Sequence, residues 1–160
     1  MPASPRLQAR LLDLGLLLQR LMLMAVGVYH GGQKVLGLFD ETPGVALGAG
    51  LGGIIGMLES KGAPMSTAAA WAAGLAEFVG GILIGVGLLT RVAAFFFAFT
   101  MYVGAFMVHW PNFGLPHKGM EYALTLAIML TALVLIGPGR LSLDALLFGG
   151  RRVAPPAPRA

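Results

Sequence analysis

The chain has no cysteine among its 160 residues. Disulfides, cysteine-held iron–sulfur clusters and thiol nucleophiles are therefore excluded. Charge is scarce as well: Asp, Glu, Lys and Arg make up 11% of the sequence, against about 25% in a soluble domain. The net charge of +4 is modest, and the positive residues gather at loops and termini. That distribution suits control of membrane topology and gives no footprint for nucleic acid. Histidine occurs three times, with neither HxH nor HxxxH spacing, so no metal site is expected. A bis-histidine haem would need a second deep histidine opposite His30, and none lies deep enough. Ser66, Thr67 and Ser142 have no catalytic partners around them, which argues against nucleophilic hydrolysis.

What remains is apolar. Hydrophobic residues make up 57% of the chain and the mean hydropathy is +0.80, values of a membrane protein. The length suits one compact unit, residues 1–150, followed by a proline-rich tail, residues 151–160, expected to be disordered. Arg6 and Arg10 precede an apolar run, as in a signal peptide. Arg20 interrupts that run and no small-residue cleavage site follows, so it reads as an uncleaved first span.

Four spans emerge: Leu11–Leu36, Ser66–Leu89, Arg91–Val108 and Lys118–Ile136, the last stopped by Pro138. The expected fold is all-α, an antiparallel four-transmembrane-helix bundle. A tight turn at Leu89–Arg91 joins the second span to the third, with Thr90 as the expected N-cap. Arg6, Arg10, Arg91, Arg140, Arg151, Arg152 and Arg159 fall on one side of this arrangement, and Lys34, Lys61 and Lys118 on the other. The arginine-rich side is expected to be cytoplasmic, with both termini inside. Between the first two spans, Gly44–Leu58 reaches only about 22 Å as a helix, too short to cross a core of about 30 Å. Its glycines at 44, 48, 52 and 56 form a ridge that invites close packing. It is expected to be a short interfacial or re-entrant helix, the alternative being a flexible glycine-rich loop.

Charges inside the spans are the candidate functional residues. Glu77 stands alone near the middle of STAAAWAAGLAEFVGGILIGVGLL, where a carboxylate costs roughly 2.5–3.5 kcal/mol and needs an enclosed position and a partner. Arg20, about nine residues into the first span, is the expected partner. The pair either fixes helix register or serves a ligand headgroup or a proton relay. Arg20, Gly27, His30, Gly31 and Lys34 share one face of the first span within about 100°. His30, Lys34, His109 and Glu121 are expected at one depth near the outer surface. They form an outer polar cluster that could take a ligand or a quinone; the bland alternative is that each simply reaches water.

Four segments resemble the DoxX family of integral membrane proteins: YHGGQKVLGLF (29–39), AEFVGGILIGVGLLTR (76–91), HWPNFG (109–114) with GMEYAL (119–124), and GPGRLSLD (137–144). The resemblance implies a four-helix protein of the bacterial cytoplasmic (inner) membrane, associated with redox chemistry. Relatives include the membrane subunit of thiosulfate:quinone oxidoreductases and partners of oxidative-stress enzymes. The chain offers no ligands for a covalently bound cofactor, so redox work requires a visiting quinone or a partner oxidoreductase subunit. The alternative is a non-enzymatic membrane scaffold, homo-oligomeric or partnered, or a protein handling a small solute or metal.

Overall fold

The computed structural model describes residues 4–39 and 50–149. Among these residues every regular element is helical. The long helices are α1 (Pro5–Leu36), α3 (Ser66–Val86), α4 (Thr90–Val103) and α5 (Glu121–Ile136). A π-helical turn, Gly104–His109, extends α4. The short helices are α2 (Gly50–Ser60) and α6 (Leu143–Phe148). Three helices are long and apolar enough to cross a membrane: α1, α3 and α4 with its π turn. At 16 residues, α5 is a shorter apolar helix.

Local chemistry sets the helix ends. Ser4 caps α1, its hydroxyl accepting from the Leu7 N–H, and Pro5 takes the first turn, where its missing N–H costs nothing. Gly37 ends the helix at φ 65°, a left-handed conformation that glycine adopts without strain. Gly87 ends α3 in the same way at φ 75°.

The α1–α3 pair is the main interface and runs antiparallel. It is built on glycine because the backbones touch. A Cβ on Gly27 would lie 2.6 Å from the Glu77 carbonyl oxygen, and one on Gly81 would lie 3.0 Å from the Gly27 Cα. Gly31 meets the Phe78 backbone just as closely, and Gly74 sits against Val35 and Lys34. In turn α3 packs on α4, α4 on α5, and α5 returns to α1. Leu23, Ile84, Phe97, Leu130 and Leu133 fill the shared centre, all essentially fully buried. The outer faces carry large apolar side chains too, among them Leu18, Phe95, Phe96, Phe99, Ile128 and Leu135. Helices apolar on every side belong in lipid.

The structure departs from the expected elements in three ways. The first helix starts at Pro5, six residues before the apolar run, because Ser4 and Pro5 make a strong start there. Thr90 is the first residue of α4 and does not cap it; Leu89 holds the cap position, and the Leu89 and Thr90 N–H groups are taken by Asp144. In α2, Gly52 and Gly56 face open space, while Ile54 and Leu58 pack against Ala70 of α3. The glycine ridge thus turns outward, because the branched residues between the glycines bury more apolar surface against α3. Gly44, Gly48 and the tail 151–160 lie outside the described residues.

Candidate functional site

Arg20 and Glu77 are both buried, at 1% and 2% exposure, but they do not form the expected pair. Arg20 donates Nε to the Ile84 carbonyl and Nη2 to the Gly85 carbonyl, each at 2.9 Å. Its Nη1 donates to the carbonyls of Pro138 at 2.7 Å and Leu141 at 2.8 Å. The guanidinium therefore closes the C-terminus of α3, where unpaired carbonyls concentrate negative charge, and ties to it the segment after α5. Gly87 makes room: a Cβ there would lie 2.9 Å from the Arg20 Cζ.

The same end of the bundle holds a set of such ties. The Asp144 carboxylate accepts from the N–H groups of Leu89 at 2.7 Å and Thr90 at 2.9 Å, opening α4. Arg91 donates to the carbonyls of Val134, Leu135 and Ile136, closing α5. Asp13 accepts from the Arg140 N–H at 2.8 Å. Arg20, Asp144 and Arg91 each answer a helix end of opposite polarity, while Asp13 holds the loop between α5 and α6.

Glu77 finds its cation elsewhere. Lys34 donates to both of its carboxylate oxygens in a bidentate ion pair. The correction has a geometric cause. Arg20 lies level with Ile84 and Gly85, seven and eight residues along α3 from Glu77, which is a separation of about 12 Å along the axis. In the antiparallel register set by the Gly27–Gly81 approach, Glu77 instead faces the segment from His30 to Lys34.

Of the expected outer cluster, Lys34 pairs with Glu77, and His30 lies one turn before Lys34 on α1. The His30 ring stands edge-on to Tyr29 at 5.1 Å and to Tyr122 of α5 at 6.1 Å. Tyr29 stacks on Phe39 at 5.2 Å. His109 and Glu121 belong to a different arrangement. His109 Nδ1 bonds the Lys118 carbonyl at 2.7 Å, and a Glu121 carboxylate oxygen accepts from the Leu115 N–H at 3.1 Å. Both fasten the loop between α4 and α5, and among the described residues neither is bonded to His30 or Lys34. The cluster of four therefore divides into two pairs. Among the described residues, no three of His, Asp and Glu converge where a metal ion would fit.

The site that the structure assembles is thus Glu77 on α3, Lys34 and His30 on α1, and Tyr122 on α5. Tyr122, absent from the expected cluster, is the member that sequence reasoning missed; its position one residue after Glu121, on the turn that begins α5, was the available signal. The group holds an acceptor, donors and an imidazole that can play either part. Lys34 keeps 18% side-chain exposure, so the pair is closed within the bundle but open at one edge.

The DoxX family profile matches residues 15–110, from the first helix through the end of α4. Arg20, His30, Lys34, Glu77 and Arg91 all lie inside that match, whereas Tyr122, Arg140 and Asp144 lie beyond it. No curated protein and no solved structure matches the chain. The chain belongs to the DoxX family, and its apolar helices make it a membrane protein in contact with lipid.

Proposed function

We propose that this DoxX-family protein is a redox-associated subunit of the bacterial inner membrane that interacts with quinone or with a partner oxidoreductase, through the site at Glu77. The observation that carries this reading is the bidentate Glu77–Lys34 contact inside a membrane bundle, with His30 and Tyr122 beside it. Ionisable groups at such depth are costly and are kept where they act on a ligand or a proton. The residues fit a quinone headgroup: Lys34, His30 and Tyr122 offer donors to a carbonyl oxygen, and Glu77 accepts a proton. A bound quinone supplies the electron-accepting carbonyls. Lys34 orients the headgroup at the open edge of the pair, His30 holds or passes a proton at its ring nitrogen, and the surrounding apolar side chains exclude water.

In this reading α5 is a fourth span. Its helix covers only about 24 Å, but it packs along α4 and its neighbours at both ends complete the crossing. Both termini then lie in the cytoplasm, with α2 at the outer interface. The test is titration of the reconstituted protein with a ubiquinone or menaquinone analogue. Saturable binding that weakens at least tenfold in Glu77→Gln is expected. Absence of saturable binding to the wild-type protein would overturn the quinone reading.

One observation favours a second reading, a scaffold that anchors another membrane protein or a second copy of itself. Gly52 and Gly56 present an open, smooth face on α2 that a foreign helix can approach closely. Purification from native membranes separates the two. A stoichiometric redox-cofactor protein supports the subunit role; a homo-oligomer without one supports the scaffold.

A further inference from the structure

The end of the molecule opposite the Glu77 site carries a second feature. A groove of about 450 Å³ opens between the first turns of α1 and the segment after α5, lined by Pro5, Arg6, Ala9, Arg10 and Arg140. That volume falls in the range of small-molecule sites. Three of its five lining residues are arginines. Among the described residues the ion pairs are Lys34–Glu77 and Arg140–Asp13, the latter a loose one at 4.0 Å. Among the described residues Arg6 and Arg10 form no ion pair, and Asp13, the carboxylate nearest the groove, is engaged with Arg140.

The groove is held in shape. Asp13 accepts the backbone N–H of Arg140 at 2.8 Å, and Arg20 grips the carbonyls of Pro138 and Leu141 on either side of it. The loop thus presents Arg140 beside Arg6 and Arg10, which lie one turn apart on α1. The N-terminus of α1 adds the positive end of its dipole.

Depth and neighbours select the ligand. At 32 residues, α1 is about 48 Å long, more than the hydrocarbon core needs, so its first turns reach into the headgroup layer. On the adjoining face of α1 run Leu7, Leu11, Leu14 and Leu18, all exposed. A ligand here meets guanidiniums at one end and a leucine stripe running into the bilayer at the other. The geometry points to a site for an anionic phospholipid, its phosphodiester held by Arg6, Arg10 and Arg140 and its acyl chains lying along the leucines. Guanidinium forks match phosphate oxygens in pairs, and basic grooves at membrane ends are suited to such headgroups.

Native mass spectrometry of the detergent-purified protein tests this with phosphatidylglycerol, phosphatidylcholine and inorganic phosphate as probes. Saturable retention of phosphatidylglycerol over phosphatidylcholine is expected, weakened about thirtyfold in the Arg6→Gln/Arg10→Gln double variant. Both positions lie in an exposed turn outside the buried core, so folding should survive. Should the variant not fold, wild-type protein still decides the matter: raising salt from about 0.05 to about 0.5 M should release the phosphatidylglycerol. Equal retention of the two lipids, salt-insensitive retention, unchanged binding in the folded double variant, or displacement of the lipid by inorganic phosphate at comparable concentration would each overturn the assignment.

Discussion

Arg20 holds four carbonyl oxygens, two at the end of α3 and two in the segment after α5, and Glu77 holds one ammonium group about 12 Å away along α3. Two buried charges so separated, with no shared partner, should contribute independently to stability. Arg20→Gln and Glu77→Gln, each measured by thermal unfolding of detergent-solubilised protein, should therefore add to within about 0.5 kcal/mol in the double variant. A coupling well above that would restore the direct Arg20–Glu77 pair. The burial of both residues was legible in the sequence, since a charge in an apolar span has nowhere else to go. Their pairing was not. The ends of the apolar runs do not set the register; the backbone contact of Gly27 with Gly81 does, and it places Arg20 at the end of α3 and Lys34 beside Glu77. Lys34 was expected in the outer polar cluster with His30, and its ammonium instead reaches inward to Glu77 while keeping partial exposure.

At the scale of the helix, glycine has two uses that spacing alone does not separate. Gly27, Gly31 and Gly81 lie where backbones touch; Gly52 and Gly56 lie where nothing does. Gly31→Ala should lower the melting temperature, because its Cβ would strike the Phe78 backbone, which cannot step aside. Gly56→Ala should leave it unchanged or raise it, since alanine favours the helix by up to about 1 kcal/mol and meets open space. Equal losses from the two would mean that α2 also packs by its glycines. Gly27 and Gly31, on the charged face of α1, make room for a partner helix, and that helix is α3. The outward turn of α2 was hidden in sequence because glycine and branched residues alternate there, and either face could have been the buried one.

Across the whole molecule, the two polar layers do different work. At the arginine-rich end, Arg20, Arg91, Asp13 and Asp144 connect helix ends to loops and give the bundle its closure. Deeper in, Glu77, Lys34 and His30 form a compact ionisable group with Tyr122 alongside. The all-helical class and the apolar helices were plain from composition, whereas Asp144 as the N-terminal cap of α4 was not, because 54 residues separate it from the N–H group of Thr90. The absence of native cysteine allows orientation to be read directly. Ser4→Cys should react with an impermeant maleimide only in inside-out vesicles, and Ser60→Cys only in right-side-out cells; labelling of both from one side would contradict a crossing by α1.

The contact between Glu77 and Lys34 is the centre of the site, and a thermodynamic cycle over that pair is its most direct test. Unfolding of wild type, Lys34→Met, Glu77→Leu and the double variant would be measured in one lipid or detergent condition. Removing either partner alone strands a buried charge, so each single variant should lose about 3–5 kcal/mol while the double variant recovers most of it. Single losses that simply sum in the double variant would show that the two side chains do not neutralise each other, and the site built on them would not stand.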